Sequence, residues 1–303
     1  MKSKIAVIQR PPVLLDLQAS IARAITLLRK RQARDLSSLF FPRHFCLVIR
    51  PGSGVSSRAE TWCHLKSTQN IARTLDVERG DLAPLCEAAA KHGVTIVMGQ
   101  NWALQRDYTL YSGDHWRGRR LLNRHRKLMP TNPERMVWGQ GDASVCGLST
   151  RPWAASARSA GKTTCRYRYA LYSQNIDIYV APTWDAGESW IASMQHIAKE
   201  GGCWVIGTAT AMEGSDSQPT SLSGRCFSLI AANGSMTVTL WLNPWGRLSR
   251  VRITGIRVFS MLRLTRSGTQ CAALARCGGA LLPAGYFFLW VDRRPLPPVT
   301  FED

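Results

Sequence analysis

Short β-rich runs alternate with amphipathic helical stretches along this chain, and that alternation limits the fold more than any other feature. Residues 4–9 (KIAVIQ) read as a strand. Asp16 can cap the helix that follows, in which Leu17, Ile21, Ile25 and Leu28 recur at helical spacing to about residue 33 and bury one face against a sheet. Residues 36–41 return as strand and complete a β–α–β start. Residues 81–92 predict a second helix, closed by Gly93 in the left-handed conformation, and residues 94–99 an apolar strand. Residues 176–181, 189–200 and 203–207 repeat strand, helix and strand, with Gly201 closing the helix. Strands alternating with helices mean an α/β layered fold. A chain of 303 residues can bury a large core, and one domain spanning 1–303 is expected.

Three stretches interrupt this order: 37–69, 145–167 and 217–287. They are rich in Ser, Arg, Gly and Trp with weak periodicity, so each reads as irregular loop. A loop of about seventy residues inside a compact domain counts against any simple assignment. The same stretches hold the charge excess. The chain has a net charge of +19, which would suggest nucleic acid or an acidic membrane surface as partner. From 217 to 290, however, there are eight arginines and no acidic residue, and from 144 to 176 five basic residues stand unopposed. Charge confined to the disorganised segments is not read as a binding face. The nine cysteines form no CxxC pair, so no zinc or disulfide framework follows. No signal peptide and no apolar run of membrane-spanning length is recognisable, and a reducing cytoplasm is the expected location.

Residues 121–142, LLNRHRKLMPTNPERMVWGQGD, are the most informative stretch. His125, Arg126 and Lys127 run into Pro130, followed by Pro133 and Glu134 in a segment that reads as loop. This stretch resembles the lysine region of the nitrilase branch of the carbon–nitrogen hydrolase superfamily. DIYVAPTWDAGE at 177–188 and WIASMQHIAKEGGCWVIG at 190–207 are similar to the segments that follow the nucleophile there. KIAVIQRPPVLLDLQASIARAI near the amino terminus and VDRRPLPPVTFED at the carboxy terminus also fit. The resemblance implies a four-layer αββα sandwich, a topology that periodicity alone does not select. It implies conversion of a nitrile and water to a carboxylic acid and ammonia through a cysteine thioimidate. It further implies no cofactor or metal, a small-molecule nitrile as substrate, no nucleic-acid or membrane partner, and homo-oligomers. ERMVWGQGD and APTWDAGE favour a nitrilase over an amidase or cyanide-processing relative.

The family uses a thiolate to attack carbon, a glutamate to move protons and a lysine to stabilise developing charge. The thiol must lose its proton, the carboxylate must lie within hydrogen-bond reach, and a fixed cation acts most strongly in a dry pocket. Lys127, within HRKLMPT, matches the lysine. Glu134 matches a second glutamate, which orients the lysine and the nucleophile; its plain alternative is a surface carboxylate at a helix start. Trp184 either lines the substrate pocket or packs as a core indole, and His196 is a weaker substrate-binding candidate than a helix-face histidine. The first glutamate and the nucleophile are not where the family has them. FPE is replaced by Phe41, Pro42 and Arg43, and the CWEN segment by Ala160, Gly161, Lys162, Thr163, Thr164 and Cys165. Cys165 lies near the nucleophile slot but displaced from it, which favours an incidental thiol. The GKT within this segment lacks the first glycine of a phosphate-binding loop, Ser156 standing there, and no strand is expected before it.

The genetic code connects both losses. Codons TGC TGG GAA AAC TAC ATG C, for Cys-Trp-Glu-Asn-Tyr-Met, read one base later as Ala-Gly-Lys-Thr-Thr-Cys, the string at 160–165. Codons CCC GAG GCA TTT T, for Pro-Glu-Ala-Phe, likewise become Pro-Arg-His-Phe, the string at 42–45. The three disorganised stretches are therefore expected to be out of frame with the rest; the alternative reading of the chain as written is an inactive homologue lacking base and nucleophile. Resequencing the gene across the codons for 41–45 and 160–165 tests the shift: a one-base offset is expected, and a clean read reproducing both strings would sink it.

Overall fold

A computed structural model of the chain describes residues 2–8, 10–13, 16–30, 36–41, 80–104, 107–116, 120–128, 141, 149–150, 155–158, 165–174, 176–183, 187–209, 239–245, 247–250 and 259–265. The strands are β1 (Lys2–Ile8), β2 (Leu36–Phe40), β3 (Thr95–Leu104), β4 (Asp107–Trp116), β5 (Arg120–Arg126), β6 (Ser149–Thr150), β7 (Ala155–Arg158), β8 (Ile178–Thr183), β9 (Trp204–Ala209), β10 (Thr239–Leu242), β11 (Leu248–Arg250) and β12 (Phe259–Thr265). The helices are α1 (Leu17–Arg29), α2 (Ala83–His92), α3 (Cys165–Tyr172) and α4 (Glu188–Gly201). Two six-stranded sheets result, in the orders β12-β1-β2-β3-β4-β5 and β11-β10-β9-β8-β7-β6.

Strand alternation places these sheets face to face. In β1, Ile5 and Val7 join Val97 of β3, Ile178 and Val180 of β8 and Ile206 of β9 in one buried cluster between the sheets. Ala6 and Ile8, on the other face of β1, pack with Leu17, Ile21, Ala24, Leu27 and Leu28 of α1 and Leu85 and Ala89 of α2. On the far side Tyr179, Ala181 and Val205 pack under Trp190, Met194, Ile197 and Ala198 of α4 and Leu171 of α3. Helices therefore cover the outer face of each sheet, and the layers run α, β, β, α. A strand buried on both faces needs near-continuous apolar sequence, which is why IAVI at 5–8 and VIG at 205–207 lack polar alternation. Each fully buried Val or Ile contributes about 1.5–3 kcal/mol.

The helix ends follow their local chemistry. Asp16 Oδ1 accepts from the Ala19 N–H at 2.9 Å, the expected cap of α1, which stops at Arg29. Gly93 closes α2 at φ 62°, as expected. α4 differs from expectation: Gly201 is still helical and the left-handed residue is Gly202, at φ 50°. The Tyr172 ring lies against Gly201, where any Cβ would overlap it, so this glycine serves a contact between helices rather than the turn.

Other differences lie in the stretches read as irregular. β6 and β7 occupy part of 145–167, and β10, β11 and β12 lie within 217–287. Residues 121–126, within the 121–142 stretch read as an active-site loop, belong to β5, so His125 and Arg126 end a strand. Antiparallel pairing with β4 supplies the order that single-strand periodicity did not show.

Gly207 in β9 faces Trp190, and a Cβ there would overlap the indole. Gly207→Ala should therefore cost about 1–3 kcal/mol through overpacking. Urea denaturation measures it, and an unchanged midpoint would show that the indole moves aside freely.

Candidate active site

β2 and β3 run parallel, and β4 is antiparallel to both its neighbours, so β5 runs in the direction of β2. The chain accordingly leaves β2 and β5 at the same edge of the first sheet. Phe40, Val97, Asp114 and Asn123 form one cross-strand row, with a register shift between Asp114 and His115. Phe41 lies one residue past that row and Lys127 four residues past it, about 13 Å further along at the usual rise per strand residue. Phe41 is buried at 1% exposure and donates its N–H to the Val97 carbonyl at 2.8 Å, which holds the exit of β2 against β3. The edge beyond β2 and β5 is thus where side chains can leave the apolar layers and do chemistry, as at strand ends in other α/β folds.

Lys127 is 3% exposed. A lysine so deeply buried is uncommon, because removing an ammonium from water costs several kcal/mol unless its surroundings compensate. Its backbone is fixed from both directions. The Gly141 N–H donates to the Lys127 carbonyl at 2.9 Å and to the Leu128 carbonyl at 3.2 Å, so the chain that departs at Leu128 returns to its starting point. Leu128 packs against the cluster formed by Leu171 of α3, Tyr179 of β8 and Trp190 of α4. Lys127 therefore directly follows a strand of the first sheet while its neighbour packs on the helix-side core of the second.

Glu134 belongs to the segment whose ends Gly141 closes, and it lies outside the described residues, as does Trp184, which directly follows β8. Cys165 is the first residue of α3; its side chain lies outside the described set. α3 contributes Leu171 and Tyr172 to the cluster that receives Leu128, so the segment of Lys127 and the helix of Cys165 share one apolar anchor. His196 is placed elsewhere: its side chain is 67% exposed on α4, with Nε2 3.6 Å from Glu200 Oε1. The sequence reading did not single out Glu200, Arg168 or Tyr172, which join α3 to α4: Arg168 Nε donates to Glu200 Oε2 at 3.1 Å and the Tyr172 hydroxyl to the same oxygen at 2.9 Å. The one available signal was the four-residue spacing of Arg168 and Tyr172 on a helix. Among the described residues no group of three His, Cys, Asp or Glu side chains could hold a metal ion, and no helix is long and apolar enough to cross a membrane.

Residues 4–248 match the carbon-nitrogen hydrolase family. An aliphatic nitrilase of Sinorhizobium fredii (strain HH103) is 32% identical over 241 residues, 74% of this chain and 74% of that protein. A bifunctional nitrilase/nitrile hydratase of Lupinus angustifolius is 34% identical over 215 residues, 66% of this chain and 59% of its own length. The chain thus spans less than two-thirds of the lupin relative. Among solved structures, Nit3 of Saccharomyces cerevisiae, a member of branch 10 of the nitrilase superfamily, superimposes with a TM-score of 0.66 over 94% of this chain and 97% of that one. Sequence identity there is 12%, so what the two share is the fold.

Gly141→Pro removes the N–H that closes the loop behind Lys127. It should lower stability by about 1–3 kcal/mol, the cost of leaving buried carbonyls without their donor. Guanidinium denaturation reads this, and a loss below about 0.5 kcal/mol would mean that the closure carries little.

Proposed function

Because the chain belongs to the carbon–nitrogen hydrolase family, we propose that it is a nitrilase, hydrolysing a nitrile to a carboxylic acid and ammonia through a cysteine thioimidate. The burial of Lys127 at the end of β5, on the edge where β2 also ends, is the observation that carries this reading. A nitrile carbon attacked by a thiolate builds negative charge on nitrogen, and the tetrahedral adduct formed later by water builds it on oxygen. An ammonium held in a dry site stabilises both without reorganising solvent. Glu134, between Leu128 and Gly141 in the sequence, orients that lysine and the nucleophile. Trp184, following β8, lines the pocket for the nitrile substituent. His196, on the exposed face of α4, takes no part in this scheme. The reaction needs no cofactor, and the protein acts in the cytoplasm as a homo-oligomer.

The base belongs directly after Pro42 and the nucleophile just before α3. A one-base shift of the reading frame would restore Pro-Glu and Cys-Trp-Glu at these places. As written they carry Arg43 and the string 160–165, with Cys165 the nearest thiol. An arginine cannot take a proton from a thiol, since its guanidinium stays charged. That substitution favours a second reading, an inactive homologue.

Ammonia release by the full chain, its mass confirmed, from a nitrile panel and an amide panel separates the possibilities. Turnover of nitriles would sink the inactive reading, and Lys127→Gln should then lower the rate by about 10²–10³-fold, the usual effect of removing one charge-stabilising donor. Turnover of amides alone would make the protein an amidase, and no turnover of either panel would make it the inactive homologue.

A further inference from the structure

Glu200, near the end of α4, reaches across to α3. Its Oε2 accepts from Arg168 Nε at 3.1 Å and from the Tyr172 hydroxyl at 2.9 Å. The two donors are four residues apart and so lie on one face of α3. His196, one turn earlier on α4, faces the other oxygen at 3.6 Å. Gly201, next to Glu200, has no side chain where the Tyr172 ring lies, so α4 holds that tyrosine at both its ring and its hydroxyl. These contacts matter because α3 has only eight residues. A helix of that length does not persist by its own hydrogen bonds, and packing has to maintain it. Its anchors among the described residues are Leu171, in the helix-side core, and the grip of Glu200 on Arg168 and Tyr172.

The electrostatics suit a lasting contact. Burial disfavours the Arg168 charge, but the hydrogen bond and attraction of Glu200 outweigh it and hold the guanidinium above its usual value. Burial pushes the Tyr172 phenol up, with Cys203 and Glu200 adding to the effect, so it remains a donor.

We infer that Glu200 is a positioning residue, which by gripping Arg168 and Tyr172 fixes the first turn of α3, the turn that begins at Cys165. Arg168 lies three residues after Cys165, so the grip acts within one turn of the helix start. The bearing of this on catalysis rests on the nitrilase reading, in which the nucleophile is carried just before α3. The mechanical coupling itself is independent of turnover.

Iodoacetamide alkylation of the folded full chain at pH 8, with peptide mapping of each thiol, tests the coupling. Cys86, pushed up to about 11 by burial and by Glu87, reports any general opening, whereas Cys203 lies beside Tyr172 and does not serve as a control. In Glu200→Ala, Cys165 should react roughly tenfold faster, as expected when charge-assisted hydrogen bonds are lost from a local opening equilibrium, while Cys86 remains slow. Glu200→Gln keeps an oxygen for Tyr172 but loses the charge opposite Arg168, and should give an intermediate rate. This variant carries the comparison if the alanine variant fails to fold. Unchanged Cys165 reactivity in the folded variants, or Cys86 accelerating in step with it, would overturn the inference. Absence of nitrile turnover by the unaltered chain would instead overturn the functional reading and leave this result standing.

Discussion

The apolar layer between the two sheets is the constraint on which the rest of the structure depends. Ile5, Val7, Val97, Ile178, Val180 and Ile206 meet there with no hydrogen-bonding atom among their side chains. Filling that layer commits four central strands to apolar sequence on both faces, since helices cover the opposite sides. Polar chemistry is then driven to the strand ends. Lys127 follows this rule, emerging immediately after β5, and so does Thr183, which ends β8 at 8% exposure. Where polar atoms intrude on the interior the fit is imperfect: Trp204 Nε1 and Thr208 Oγ1 in β9 are buried without a hydrogen-bond partner. Each such atom costs roughly 1–3 kcal/mol, tolerable only because the surrounding apolar burial is large.

The elements legible in the sequence are those whose signal is local. α1 announces itself through Asp16 and a repeating apolar face, and α2 through Gly93. β1, β8 and β9 do so as short apolar runs. The family likeness, and the layered sandwich it implied, agree with the matched residues and with the three apolar clusters. β4, β5 and β10 to β12 were not legible because their order comes from partners rather than from themselves. β4, for example, lies between β3 and β5 and takes its register from both. The closure of α4 was misplaced by one glycine because two consecutive glycines look alike in sequence. Only the Tyr172 ring, contributed by another helix, distinguishes them.

The candidate site was legible in the same uneven way. Lys127 could be found because its motif is contiguous. Its setting in the fold, a backbone held by Gly141 and a partly buried neighbour packed on the opposite core, joins segments that no linear pattern connects. The Arg168–Glu200 contact spans 32 residues and two helices, and neither residue is unusual alone. The proposed base and nucleophile raise a different difficulty, for the written chain has Arg43 and Ala160 at the places where the family resemblance would put them, and no reading of side-chain pattern can recover a carboxylate or a thiol from these.

β1 has one further consequence. It pairs in parallel with β2 and antiparallel with β12 over seven residues, Lys2 opposite Thr265 and Ile8 opposite Phe259. During synthesis the first of these strands therefore waits until residues 259–265 have been made before its second neighbour exists. Until then one side of β1 is an open backbone edge flanked by aliphatic side chains, the kind of edge that recruits strands from other molecules. Assembly of the first sheet is a late, long-range closure, slow in proportion to the separation it must bridge. The second sheet can begin locally from β8, α4 and β9. A nascent chain of this design spends its vulnerable interval at its amino terminus, where a chaperone would act to most effect.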